Sequence, residues 1–187
     1  MVAMSIRHIF SALVLALAGS AAVAAPIVTT SNIALVSDPH GGRSAGISRT
    51  VLTAGLFTDL YIITGVSGFA LLDGVLNTMG GPAAVDIDFY SATINGVAFN
   101  FTKFSQISGR TVYLDFREIG VFSETGFNSP FTLTINGRAG EGLADGTAIN
   151  ATYSGTVNVN TVPEPASMAL LVVGLLGAGA ITRRRQA

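Results

Sequence analysis

The chain has no cysteine and no tryptophan, and only 11% of its residues are charged. Without cysteine there can be no disulfide, no thiolate nucleophile and no cysteine-based zinc site. Without tryptophan, any stacking of sugar rings falls to tyrosine. Of the two histidines, only His40 lies beyond the first 24 residues, and a single histidine without cysteine is not a zinc site. A Ser-His-Asp triad would have to use His40, which sits in a solvated loop of Asp38-Pro39 and Gly41-Gly42 with no G-x-S-x-G sequence nearby. A phosphate-cradling G-x-x-x-x-G-K-[ST] loop is also missing. These absences remove most catalytic classes. They also leave a domain that must rest on packing and sheet hydrogen bonds alone.

The apolar residues that are present gather at the two ends. Arg7 and His8 precede the apolar run Ile9 to Ala18, and Ala22-Val23-Ala24 fits an A-x-A cleavage site. Residues 1–24 therefore read as a secretory signal peptide rather than part of a fold. At the other end, Val162-Pro163-Glu164-Pro165 leads into Ala166 to Thr182, a run with no charged side chain, and then into Arg183-Arg184-Arg185. As a helix that run would reach roughly 25 Å, a little short of the ~30 Å hydrocarbon core, a mismatch that flanking residues and local thinning absorb. The arginines cannot cheaply cross, so they stop the helix and hold the C-terminus in the cytoplasm. Everything before Val162 is then expected on the far side of the membrane.

This order of Pro-Glu-Pro, apolar helix and terminal arginine cluster resembles the PEP-CTERM sorting signal of Gram-negative bacteria. The resemblance implies a membrane-embedded transpeptidase, exosortase, as partner, and a transient anchorage in the inner membrane through the helix. It further implies a cell-surface or extracellular destination in an exopolysaccharide or biofilm setting. Like other C-terminal anchoring signals, the tail is expected to be lost on processing.

The span between the signals, residues 25–161, is long enough for one domain with a real core. It carries six basic and ten acidic residues, a net negative balance that disfavours nucleic acid as a partner. Val51 to Val66 is the strongest strand segment; Phe57, Asp59, Tyr61 and Ile63 share one face and Leu56, Leu60 and Ile62 the other, so it is expected inside, covered on both sides. Asn95-Gly96 between Val85–Ile94 and Val97–Phe104 predicts a type I′ hairpin, since both central positions need positive φ. On the first arm Val85, Ile87 and Phe89 alternate with Asp86, Asp88 and Tyr90, one face apolar and the other wet. Further strands are expected over Ile27–Val36, Phe69–Leu76 (with a turn or bulge at Asp73-Gly74), Val112–Phe116, Phe131–Ile135 and Ala148–Val159. Loops are expected over Ser37–Ser48, Asn77–Ala84, Ser105–Arg110 and Arg138–Gly146, and an irregular stretch over Gly120–Pro130 in which Val121-Phe122 pairs only briefly. About eight short strands with no 3.6-residue period predict an all-β fold: a single antiparallel β-sandwich, jelly-roll-like, flanked by an N-terminal signal helix and, over 162–187, the sorting signal with its transmembrane helix.

Phe57-Thr58-Asp59-Leu60-Tyr61, with Asp86-Ile87-Asp88-Phe89 and Ile94-Asn95-Gly96-Val97-Ala98-Phe99 downstream, resembles the FxDxF group of PEP-CTERM proteins, Tyr61 standing where the group has Phe. The group brings no assigned activity, so Phe57, Asp59 and Tyr61 are taken as a structural motif. A bare Asp59 between two apolar neighbours would be costly to bury; it needs backbone N–H groups, an Arg or Lys, or a metal, and is expected at a strand or turn edge. Asp86 and Asp88 offer oxygens of the kind Ca²⁺ takes, but no EF-hand loop accompanies them, and the pair is expected to be merely solvated. No cofactor is expected. The leading functional expectation is a non-enzymatic surface or matrix protein. The alternatives are a carbohydrate-binding module using Tyr61, Tyr90, Tyr113 or Tyr153, and a small glycoside hydrolase working with two acids.

Overall fold

The computed structural model describes residues 25–37, 42–162 and the pair 173–174. The proposed signal peptide, His40, Pro163–Pro165, most of the apolar tail and the three arginines lie outside the described residues. Within them the chain forms eleven strands in two facing sheets, an all-β sandwich. The strands are β1 (Ile27–Ala34), β2 (Val36–Ser37), β3 (Arg43–Thr53), β4 (Gly55–Thr64), β5 (Phe69–Met79), β6 (Ile87–Ile94), β7 (Val97–Ala98), β8 (Asn100–Ser108), β9 (Thr111–Asn128), β10 (Phe131–Ala139) and β11 (Ala148–Thr161). One sheet runs β1-β4-β10-β6-β7 and the other β2-β3-β11-β5-β9-β8. All pairings are antiparallel except β1 beside β4, which is parallel from Ile27↔Phe57 to Ala34↔Thr64.

The period-2 alternation of the strands builds the core. Phe57, Tyr61 and Ile63 of β4, Phe131, Leu133, Ile135 and Ala139 of β10, and Ile87, Phe89, Ala92 and Ile94 of β6 face the other sheet and are buried. They meet Ala45, Ile47 and Val51 of β3, Ile149, Ala151, Tyr153, Val157 and Val159 of β11, and Ala70, Leu72 and Leu76 of β5. Each large apolar side chain so buried contributes about 1.5–3 kcal/mol.

The Asn95-Gly96 turn has the expected backbone, with φ of 47° and 86°. Asn95 also ties the hairpin to its neighbour: its Oδ1 accepts from the Thr132 amide (2.8 Å) and its Nδ2 donates to the Pro130 carbonyl (3.1 Å). Several expectations need correction. The Val51–Val66 run is two strands in different sheets, broken at Ala54. The outward side chains of β4 (Leu56, Leu60, Ile62) are only half-covered, because a two-layer sandwich has nothing to lay on that side. Arg43–Ser48 and Ser105–Ser108 are strand, not loop, Gly120–Asn128 is continuous strand rather than an irregular stretch with a brief pairing, and β5 continues to Met79. Val85 lies exposed in a 3-10 turn (Ala83–Val85) ahead of β6. The irregularity foreseen at Asp73-Gly74 is a register shift between Leu72 and Gly74 whose extra residue sits in β9.

Tyr90 is an extra residue in β6: Asn136 pairs with Ser91 and Gly137 with Phe89. This bulge moves the buried parity from Ile87 and Phe89 to Ala92 and Ile94 and turns Tyr90 outward. Gly137 is needed here for space. A Cβ on it would lie 2.5 Å from the Asp88 carbonyl oxygen and 2.7 Å from Phe57 Cζ. Gly137→Ala is therefore expected to destabilise the domain by about 1–3 kcal/mol through overpacking, read as a lower urea midpoint at unchanged slope.

Candidate functional site

Asp59 sits in mid-strand with no solvent exposure, not at a strand or turn edge. Its compensation comes from across the sandwich and from the neighbouring strand β1. Arg49 of β3 forms an ion pair with Oδ1, Thr29 of β1 donates a hydrogen bond to the same oxygen, and the Tyr153 hydroxyl of β11 donates to Oδ2. The Tyr61 and Tyr153 hydroxyls lie 2.7 Å apart. The Arg49 guanidinium stands 5.5 Å from the centre of the Phe57 ring, which stacks on Tyr153 at 5.9 Å. Burial, then the hydrogen bond with Tyr61, pushes the Tyr153 hydroxyl up, so it stays a neutral donor. Phe57, Asp59 and Tyr61 are thus one side of a buried polar staple joining the two sheets. Tyr61 and Tyr153 are buried in it and present no ring to a sugar. Tyr113 lies on β9, its side chain outside what is described, and Tyr90 is 57% exposed.

The second cluster is open to solvent. Where β6 begins, beside β8, β9 and the loop after β10, a cleft of about 390 Å³ is lined by Asp86, Asp88, Tyr90, Lys103, Asp115 and Glu141. Below it Glu118 is fully buried, and its Oε2 accepts from the Phe89 amide at 2.8 Å. Lys103 Nζ holds the cluster together, 2.6 Å from Glu118 Oε1, 3.2 Å from Asp115 Oδ2 and 3.5 Å from Asp88 Oδ1. Asp86 packs its carboxylate against Gly80, where a side chain would collide with it.

The sequence pair Asp86 and Asp88 does reach this cleft, but Asp88 is 6% exposed rather than solvated. The oxygens that come within 4.8 Å of one another, as a metal would require, belong to Asp88, Asp115 and Glu118 and not to Asp86. The Lys103 ammonium lies within ion-pair distance of all three. Asp88 and Glu141 share a hydrogen bond, which is the main cause of a raised Glu141 pKa. Lys103, Asp115, Glu118 and Glu141 were not singled out from the sequence. The usable signal was weak: Lys103 is the only lysine of the chain, in a strand otherwise free of charge.

Asp86 titrates at about 7, lifted first by burial and then by Asp88, Glu118, Glu141 and Asp115. Below the ordinary carboxyl range the folded and unfolded chains both hold this proton. Between about pH 4 and 7 only the folded chain keeps it, so stability falls as pH rises, and above 7 the folded chain bears the full penalty. Asp86→Asn is therefore expected to change nothing near pH 4 and to stabilise near pH 8. Each pKa unit is worth about 1.4 kcal/mol, and screening at a half-exposed carboxyl reduces the total to roughly 1–2 kcal/mol. Urea midpoints of both proteins across this range check it.

β11 ends at Thr161, paired with Ala70 in the interior of its sheet, and Val162 follows it into solvent. The PEP-CTERM protein-sorting motif matches residues 161–185. The chain carries a PEP-CTERM sorting signal. The matched span takes in Val162-Pro163-Glu164-Pro165 and Arg183-Arg184-Arg185, and leaves the sandwich with Phe57, Asp59 and Tyr61 outside it. The PEP-CTERM signal starts on the last strand residue, so the fold reaches its edge with no intervening linker. It marks a protein exported and sorted by exosortase to the cell envelope. Among the described residues no helix is long and apolar enough to cross a membrane; Ala166–Thr182 falls almost wholly outside them. No curated protein matches. Among solved structures the chain is similar to PliG of Aeromonas hydrophila, a periplasmic inhibitor of g-type lysozyme, at 14% identity, covering 73% of this chain and 100% of that one, with a TM-score of 0.31.

Proposed function

We propose that this protein is a non-enzymatic β-sandwich delivered through the inner membrane, held there briefly by its C-terminal helix, released by exosortase and retained at the cell surface or in an exopolysaccharide matrix. The observation that carries this reading is the sorting-motif match at residues 161–185. The arrangement of the domain supports it: the largely buried Arg49–Asp59 pair is spent on joining the sheets, and Val162 leaves the fold at a position open to a membrane enzyme. Residues 1–24 act as the signal peptide in this reading. Fractionation of cells with and without exosortase tests it. The protein should appear at the surface or in the medium in the first and accumulate in the inner membrane in the second; equal distribution in both would overturn the reading.

One observation favours a second reading, acid-dependent glycoside hydrolysis in the cleft. Asp86, titrating at about 7 beside other carboxyls, has the protonation behaviour of a general acid at neutral pH. Turnover of chromogenic glycosides, lost in Asp86→Asn, would establish it; no turnover across a panel would dismiss it.

A further inference from the structure

Lys103 on β8 stands directly opposite Glu118 on β9. Between Phe104↔Arg117 and Gln106↔Tyr113 strand β9 carries two extra residues, and Asp115 within that bulge has φ 56°. A left-handed backbone is uncommon outside glycine and is tolerated where the surroundings impose it. Here the bulge aims the Asp115 carboxyl at the lysine already gripped by Glu118, with Nζ 3.2 Å from Oδ2. An amine, an acyl carbon and a fully buried carboxyl touching the amine therefore converge on adjacent strands, in a chain that has no disulfide.

We propose that Lys103 and Asp115 condense into an intramolecular isopeptide bond, with Glu118 relaying the protons. Lys103 enters as ammonium and Asp115 as carboxylate. Glu118 takes one proton from Nζ and passes it to an Asp115 oxygen, leaving a neutral amine beside a neutral acid. The Nζ lone pair attacks Cγ and the N–C bond forms. Glu118 then takes a second proton from the nitrogen and delivers it to the departing hydroxyl. The C–O bond breaks, water leaves, and an amide remains with Glu118 as it began. No oxidant, reductant or further reactant is needed.

Burial raises the Glu118 pKa, against the lowering effect of Lys103 and the Phe89 amide, which suits a group that must hold a proton in transit. Burial alone would lower the Lys103 pKa, but Glu118 and Asp115 raise it, so the reaction starts from an ion pair and follows folding slowly. Fixed juxtaposition supplies the drive: oriented intramolecular pairs reach effective molarities of about 10⁵–10⁸ M. Asp88, 3.5 Å from Nζ, is the competing acyl group, but Glu141 already engages it. The bond would clamp the hairpin at the edge of the six-stranded sheet, whose tip exposes Ile107 and Val112.

Tryptic mapping of the full chain, isolated after expression, decides the matter. Trypsin should leave Lys103 uncut, and the peptide Thr50–Arg110 should emerge joined to Thr111–Arg117, lighter than their sum by one water. An amine-acylating reagent should leave Lys103 unlabelled. Asp115→Ala should restore cleavage and labelling at Lys103; Asp88→Asn should keep the link; Glu118→Gln, which retains an acceptor for the Phe89 amide, should strongly slow it. Cleavage at Lys103 in the parent protein with Thr111–Arg117 free would overturn the proposal. So would a water loss confined to Thr50–Arg110, which would place the bond on Asp88. The result is independent of how the chain is sorted.

Discussion

Asp59→Ala should lower the stability of the domain by about 3–5 kcal/mol, the usual consequence of removing one partner from a buried ion pair. For a domain whose total stability is on the order of 5–15 kcal/mol, this is enough to leave much of it unfolded at growth temperature. The loss has three sources. The Arg49 guanidinium, on a side chain 15% exposed, is left without its carboxylate; the Tyr153 and Thr29 hydroxyls lose their acceptor; and a void opens where the carboxylate stood. Urea denaturation of the two proteins measures it. The paired change Arg49→Met with Asp59→Leu should recover most of the loss, since apolar residues of similar volume often replace buried ion pairs at little cost. A single-mutant loss below about 1 kcal/mol would show that water reaches Asp59 and that the staple does not hold the sheets.

Replacing Pro163, Glu164 and Pro165 together with alanine should abolish release while leaving export intact. The apolar run Ala166–Thr182 and the arginines behind it are unchanged in that variant, so the chain still inserts and stops, and it should collect in the inner membrane at full length. The domain, ending at Thr161, should keep its urea midpoint. Membrane fractionation and immunodetection of the tail check this. Normal release from the triple variant would mean that the motif is not what the processing enzyme reads.

Much of the fold was legible where local chemistry has one solution. Asn95-Gly96 supplies two adjacent positive φ values, and the hairpin follows. Ala148–Val159 follows a period of two, and its alternating Ile149, Ala151, Tyr153, Val157 and Val159 are the buried face of β11. The strands that were missed lack that clarity for physical reasons. In β3 the inward positions are Ala45, Ile47, Arg49 and Val51, and the small and charged members hide the period. In β9 glycines broke the pattern, yet Gly120 and Gly126 are covered by the rings of Phe101 and Phe69; the aromatic neighbours supply the packing that glycine lacks. The bulge at Tyr90 left a trace, a change of apolar parity between Phe89 and Ala92, that reads as noise without the partner strand.

The sites divide in the same way. The tail could be read directly, because an apolar run between a polar motif and fixed positive charge depends on nothing elsewhere in the chain. For Asp59 the requirement was plain, an Arg, Lys, metal or backbone donor, but Arg49 stands across the sandwich and only the three-dimensional fold brings it near. The cleft depended on register. Asp86 and Asp88 are visible as a pair, while Lys103 and Glu118 meet because they stand opposite each other on β8 and β9, and Asp115 joins them through the two-residue bulge of β9.

The mass of the C-terminal peptide of the protein recovered from outside the cell tests the sorting account most directly. The account predicts a chain ending at or near Pro163–Pro165, with Ala166–Ala187 absent. A recovered chain that still ends in Arg183-Arg184-Arg185-Gln186-Ala187, free of the membrane, would contradict it.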